Sequence, residues 1–199
     1  VYVWFDALLN YATAVGLTDA PDSEGGRKFA QTWPADVHLV GKDILRFHAV
    51  IWPAMLMAAD LPLPKCVFAH GWLLVGGEKM SKSKLTGIAP KDITDHFGVD
   101  AFRYYFLRAI PFGSDGSFSW EDMSARYTSE LANDFGNLAS RLAAMIEKYC
   151  GGKIPAVAKD ATLAQSLQET VEKADKAMVA LDFQGGINAV MDYCKQVNG

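Results

Sequence analysis

Asp36-Val37-His38-Leu39-Val40-Gly41-Lys42-Asp43-Ile44 joins a short apolar run to a glycine and then to an acidic residue. The run reads as a strand that ends at Gly41, and Asp43 can cap a helix. Ile44, Phe47, His48, Ile51, Trp52 and Met55 follow at helical spacing, which predicts a helix over residues 43–59 with a kink at Pro53. Residues 66–69 form the next strand candidate. Strand, helix and strand in this order imply parallel pairing, and so an α/β sheet.

Outward from this core, residues 1–4 read as a strand and residues 6–15 as a helix closed by Gly16. Residues 17–31, with Pro21, Gly25 and Gly26, read as a surface loop. Residues 73–75 predict a strand leading to the Gly76-Gly77 turn. From about Trp120 the pattern turns helical. Residues 121–149 repeat apolar positions at three and four and stop at Gly151-Gly152, and residues 161–181 and 186–197 predict two more helices. The segment 111–119, with Gly113, Asp115 and Gly116, reads as a boundary. The expectation is an α/β part over 1–118 and a helical part over 119–199.

The 199 residues are half hydrophobic, 21% charged and 12% aromatic, a globular balance rather than a disordered one. No apolar run reaches membrane-spanning length, and no basic region precedes an apolar one at the N-terminus. The chain begins Val1-Tyr2-Val3-Trp4, so it is expected to be a segment cut into a larger domain. A net charge of −4 and a pI near 5.5 argue against a protein that coats nucleic acid, though not against one that reads a folded RNA locally. Cys66, Cys150 and Cys194 are far apart and odd in number, which fits a reducing cytosol and indicates no metal site in this chain.

Lys79-Met80-Ser81-Lys82-Ser83 follows the Gly-Gly turn, with Lys84, Thr86 and Gly87 behind it and His70-Gly71 nine residues ahead. A lysine-bearing loop at the exit of a parallel sheet can reach a polyphosphate, and phosphoryl transfer depends on positioning and charge neutralisation. Serines add donors for phosphate oxygens. Taken alone, such a cluster is more often a solvated basic loop. Here it stands with Trp4-Phe5-Asp6-Ala7 and Tyr11, with Gly41-Lys42-Asp43-Ile44 and His48, with Trp52-Pro53-Ala54-Met55, and with Asn137-Leu138-Ala139-Ser140-Arg141. Together these blocks resemble the methionyl member of the class I aminoacyl-tRNA synthetases, along the whole chain.

The resemblance implies the C-terminal half of a Rossmann-like catalytic domain followed by the start of a helical anticodon-binding domain. It implies a methionine–tRNA ligase that forms methionyl-adenylate from ATP, with Mg2+, and charges initiator and elongator tRNA. Lys82 would neutralise phosphate charge during attack, and Lys79 would support ATP and loop closure. Ser81, Ser83, His70, Gly71, Gly41 and Asp43 complete the implied ATP set, with Asp43 placed for ribose hydroxyls; a plain helix cap is its alternative reading. The methionine set carries over as Trp4, Ala7, Leu8, Tyr11, Ile44, His48 and Trp52. A thioether packs well against aromatic rings. Ile44, His48 and Trp52 share a helix face that, without the resemblance, would more often be core. Leu8-Leu9-Asn10 stands where some relatives carry a Pro-Ile-Gly-type turn, which bears on Leu8 alone.

Asn137 and Arg141 share a helix face, and the resemblance places them at the CAU anticodon. The family's upstream histidine motif and the tip domain that carries zinc in many members are not in this chain, which alone should be inactive. The implied protein is cytoplasmic and monomeric, with no DNA or membrane partner. Two other readings stay open: a class I synthetase for leucine, isoleucine, valine or cysteine, and a non-catalytic tRNA-binding module derived from a synthetase.

Overall fold

The computed structural model describes residues 3–76, 78–79 as backbone, and 87–198. The chain divides into two compact units, Val1–Gly71 and Trp72–Gly199.

The first unit opens with helix α1 (Val3–Ala7) and α2 (Asn10–Thr13). Where residues 1–4 read as a strand, Val3 and Trp4 are helical, and Val1 and Tyr2 lie outside the described residues. The helical period accounts for the difference. It places Trp4, Leu8, Tyr11 and Ala12 toward one core, with Leu8 and Ala12 fully buried there. Residues 17–31 are not all loop either: α3 runs Glu24–Thr32, capped by the Ser23 hydroxyl, which accepts from the Gly26 N–H. Gly25 and Gly26 suggest a turn by composition but serve close approach. A Cβ on Gly26 would lie 2.2 Å from the Ala20 carbonyl oxygen.

Strand β1 (His38–Gly41) is followed by a 3-10 turn (Lys42–Ile44), a π-helical stretch (Phe47–Ile51) and α4 (Trp52–Ala58). The single helix expected over 43–59 is therefore wound three ways. Gly41, not Asp43, takes the cap position. Pro53 sits in the first turn of α4, where its missing N–H is tolerated. Strand β2 (Val67–His70) pairs parallel with β1, Gly41 lying opposite His70. The core joins Leu8, Ala12, Trp52 and Leu56.

In the second unit, β3 (Leu73–Val75) pairs antiparallel with β4 (Glu78–Lys79) and parallel with β5 (Gly116–Phe118). The segment 111–119, read as a boundary, thus contributes a strand to the sheet. Between them run α5 (Pro90–Phe97) and α6 (Val99–Ala109). Ile93, Ala101, Tyr105, Phe118 and Met123 make the core. The helical half follows as α7 (Trp120–Arg126), a π-helical stretch (Tyr127–Gly136), α8 (Asn137–Cys150), α9 (Ala161–Val179) and α10 (Phe183–Asn198). Gly151 ends α8 at φ +58°, as the double glycine predicts. No helix among the described residues is long and apolar enough to cross a membrane.

Candidate functional site

The carboxyl ends of parallel strands are where open α/β sheets bind ligands, and β1 and β2 end together at Gly41 and His70. Gly41 has no side chain to spare: a Cβ there would lie 2.6 Å from Asp43 Oδ1 and 3.9 Å from His70 Cε1. Asp43 folds back over the strand end from the 3-10 turn. The His70 Nδ1–H donates to the Gly71 carbonyl at 2.8 Å, which fixes the ring beside the same corner. Gly41, Asp43, His70 and Gly71 are thus brought together, with Asp43 exposed. Ser81, Lys82 and Ser83 lie outside the described residues. Lys79 belongs to β4 by its backbone.

The helix that leaves this corner carries the aromatic cluster. His48 is 1% exposed and lies in the π stretch; its Nδ1–H donates to the Ile44 carbonyl at 2.9 Å. That bond settles the neutral tautomer, leaving Nε2 to accept the Tyr11 hydroxyl at 2.8 Å. Trp4 stacks on Phe47 at 4.4 Å between centroids and meets His48 edge-on at 6.3 Å. Trp52, 0% exposed, lies 6.2 Å from the Tyr11 ring. Burial pushes the Tyr11 phenol above its ordinary range, so it stays a neutral donor near pH 7.

Of the seven residues assigned to methionine, Trp4, Leu8, Tyr11, His48 and Trp52 pack in this cluster, and Ile44 joins it through its carbonyl. Ala7 stands exposed on α1. Trp52, Leu8 and His48 are buried, while Trp4, Tyr11 and Ile44 keep partly exposed surfaces. Among the described residues, two cavities border the cluster. One of about 320 Å³ is apolar and touches Trp52, Phe5, Leu9 and Met55. The other, of about 380 Å³, touches Tyr11, Trp33 and His38.

Two side chains of this site have no role in the sequence reading. Phe47 supplies the face under Trp4. His38, 5% exposed at the start of β1, accepts the Trp52 indole N–H at Nε2, at 3.2 Å. Its signal lies in the strand alternation: His38 and Val40 both point inward, and a polar residue at an inward position needs a partner. Burial first, and the nearby His48 second, hold the His38 pKa below the usual histidine range.

In the second unit, Asn137 and Arg141 are both exposed on α8, one turn apart. The Arg141 guanidinium donates to Asn198 Oδ1 at the end of α10. Among the described residues, no group of three or more His, Cys, Asp or Glu side chains is arranged to hold a metal ion.

The family model for class I tRNA synthetases (M) matches residues 1–143. The methionine–tRNA ligase of Streptomyces coelicolor is 66% identical over the whole chain, which covers 37% of that protein. That of Halalkalibacterium halodurans is 50% identical, again over the whole chain and 30% of the relative. The Mycobacterium tuberculosis methionyl-tRNA synthetase bound by methionyl-adenylate superposes with a TM-score of 0.90 at 41% identity, over 99% of this chain and 39% of that one. The chain thus spans about a third of the length of the curated relatives it matches.

Proposed function

We propose a function from one premise: this chain belongs to the class I tRNA synthetases of the M type, the family whose model matches most of its length. The reading is that it forms the later part of a methionine–tRNA ligase, holding the C-terminal half of the catalytic domain over 1–118 and the start of the anticodon-binding domain over 119–199. The enzyme condenses L-methionine with ATP to methionyl-adenylate and pyrophosphate, then transfers the methionyl group to tRNA(Met) for initiation and elongation. It acts in the cytosol as a monomer.

In this reading Asp43 accepts the ribose hydroxyls of ATP, and Gly41 lets that carboxylate lie against the strand end. His70 and Gly71 border the nucleotide. Lys82 neutralises charge on the phosphates as the methionine carboxylate attacks, with Lys79, Ser81 and Ser83 supporting the phosphate chain. Mg2+ arrives with ATP as part of the substrate. Trp4, Leu8, Tyr11, Ile44, His48 and Trp52 receive the thioether, with Ala7 at the edge. Asn137 and Arg141 meet the anticodon. Single-stranded bases offer edges for hydrogen bonds and faces for guanidinium stacking.

The observation that carries the reading is one helix with two ends. Its start brings Asp43 to Gly41 and His70 at the strand ends, and its continuation brings His48 and Trp52 to Tyr11. Nucleotide and aromatic residues thus come from one continuous segment, in a chain 66% identical to a methionine–tRNA ligase. Amino-acid-dependent ATP–pyrophosphate exchange by a full-length enzyme carrying this chain tests it. Exchange with methionine alone is expected. Exchange driven by leucine, isoleucine, valine or cysteine, or by no amino acid, would overturn it.

A further inference from the structure

We propose that His38 is a positioning residue of the amino-acid pocket: as a hydrogen-bond acceptor for the Trp52 indole, it sets the plane of the wall that receives the methionine side chain. The inference rests on the methionine reading above.

Tyr11 and Trp52 each present a ring and a polar hydrogen to the cluster, and each is answered by a different imidazole. Tyr11 donates to His48 Nε2 at 2.8 Å, and Trp52 donates to His38 Nε2 at 3.2 Å. The two imidazoles stand 6.0 Å apart, and the Tyr11 ring packs against His38 at 4.5 Å, tilted by 59°. His38 therefore touches both aromatic walls, Trp52 through its nitrogen and Tyr11 through a tilted ring contact. His48 cannot take over the indole, because its nitrogens are engaged by Ile44 and Tyr11.

Trp52 and His38 are both buried, so an unanswered indole N–H would carry its full desolvation cost. The ring can avoid that only by turning, and turning moves the wall. A thioether gains its contact energy from close packing on aromatic faces, so a turned wall weakens methionine directly. The nucleotide corner depends on Gly41, Asp43 and His70 and is left in place. The low pKa of His38 agrees with the acceptor role, since a protonated ring would set N–H against N–H.

A structural histidine would change stability alone; a positioning one splits the two substrates. In a full-length enzyme carrying this chain, pyrophosphate exchange is measured for His38→Leu and His38→Gln, alongside thermal melting. His38→Leu fills the space without an acceptor. It should raise the KM for methionine roughly five- to tenfold, the loss of one buried hydrogen bond, with the KM for ATP within about twofold of the parent. His38→Gln keeps an acceptor and should recover most of that loss. Should His38→Leu fail to fold, His38→Asn serves as the second variant, its shorter amide falling short of the indole and raising the methionine KM where Gln does not. A lowered melting temperature with both KM values unchanged, or equal rises for methionine and ATP, would overturn the proposal. A parent enzyme that exchanges without methionine would instead overturn the functional reading itself.

Discussion

Gly41 is constrained by what lies beside it rather than by its own backbone. Its φ is −69°, open to any residue, but Asp43 Oδ1 lies 2.6 Å from where a Cβ would stand. Gly41→Ala should push the Asp43 carboxylate off the strand end. With Asp43 on the ribose, the KM for ATP should rise roughly tenfold, about the worth of one hydrogen bond to a charged group, while the KM for methionine stays close to the parental value. Equal KM values for ATP in the two proteins would remove Asp43 from the nucleotide. His38 gives a second residue-scale prediction, in pH. Its folded pKa is lowered from 6.5, so below that value the unfolded chain binds a proton that the folded unit refuses. Stability from this group is therefore present above about pH 6.5 and is lost as pH falls toward its folded pKa. The titratable groups facing it are Tyr11, which burial keeps a neutral phenol, and His48, whose positive charge would oppose a second one. Urea unfolding followed from pH 7.5 to 5 should show this loss shrinking in His38→Gln. An identical pH slope in both proteins would exclude His38 as its source.

Among the elements, the π-helical stretch Tyr127–Gly136 carries a polar network at Glu130. Glu130 accepts the Tyr104 hydroxyl at 2.5 Å and the Arg126 Nη1–H at 3.0 Å, and its Oε2 lies 3.3 Å from Arg108 Nε. That last nitrogen is close enough for charge pairing but outside hydrogen-bond geometry. Two turns earlier Asp122 takes Tyr105 and Arg126, and the Tyr105 phenol is pushed up to about 12 by burial first and by Asp122 second. Helix α6 is thereby tied to the winding that follows α7. Glu130 and Arg108 side chains are only 18% and 21% exposed, so water replaces the lost carboxylate poorly. Glu130→Ala should cost about 2 kcal/mol in denaturant unfolding, since it strips partners from two cations and a phenol. A change under about 0.5 kcal/mol would place this network with surface ion pairs that contribute little. The same elements show what periodicity can and cannot carry. Strands β1 and β2 are legible because an apolar run meets a glycine within a few residues. Apolar spacing at three and four predicts a helix across 43–59 and 121–149 but cannot separate α from π winding, which depends on which carbonyl each N–H finds. Helix α3 is hidden because its glycines read as turns, whereas their reason is the packing of Asp19 and Ala20 against them. Strand β5 is three residues long and exists through β3, more than forty residues away in sequence. At the site, the motif residues are legible by type and spacing; for His38 the alternation marks only an inward polar residue, and its partner stays hidden because Trp52 lies on another element.

At the scale of the molecule, the residues proposed to act fall into two groups, one for methionine activation and one, Asn137 and Arg141, for tRNA, and the proposed enzyme uses them for separate steps. Methionine activation needs no anticodon, whereas charging of tRNA does. Arg141→Ala should therefore leave methionine-dependent pyrophosphate exchange within about twofold of the parent and lower the charging rate roughly five- to hundredfold, taking about 1–3 kcal/mol for a lost base-edge contact by analogy with base readout in general. The rival explanation has a specific source. Arg141 donates to Asn198, so its removal also cuts a tie from α8 to the end of α10. Both residues are exposed, and a single exposed bond of this kind should move the melting temperature by no more than about 3 °C. Asn198→Ala separates the two effects, because it cuts the same tie and leaves the guanidinium available to RNA. If charging fails because helices α8 and α10 come apart, Asn198→Ala should fail as Arg141→Ala does. If it fails because the RNA has lost its guanidinium, Asn198→Ala should charge tRNA at close to the parental rate. An Arg141→Ala enzyme that melts, exchanges and charges like the parent would take Arg141 out of anticodon reading and leave Asn137, one turn away on the same exposed face, without its supporting neighbour.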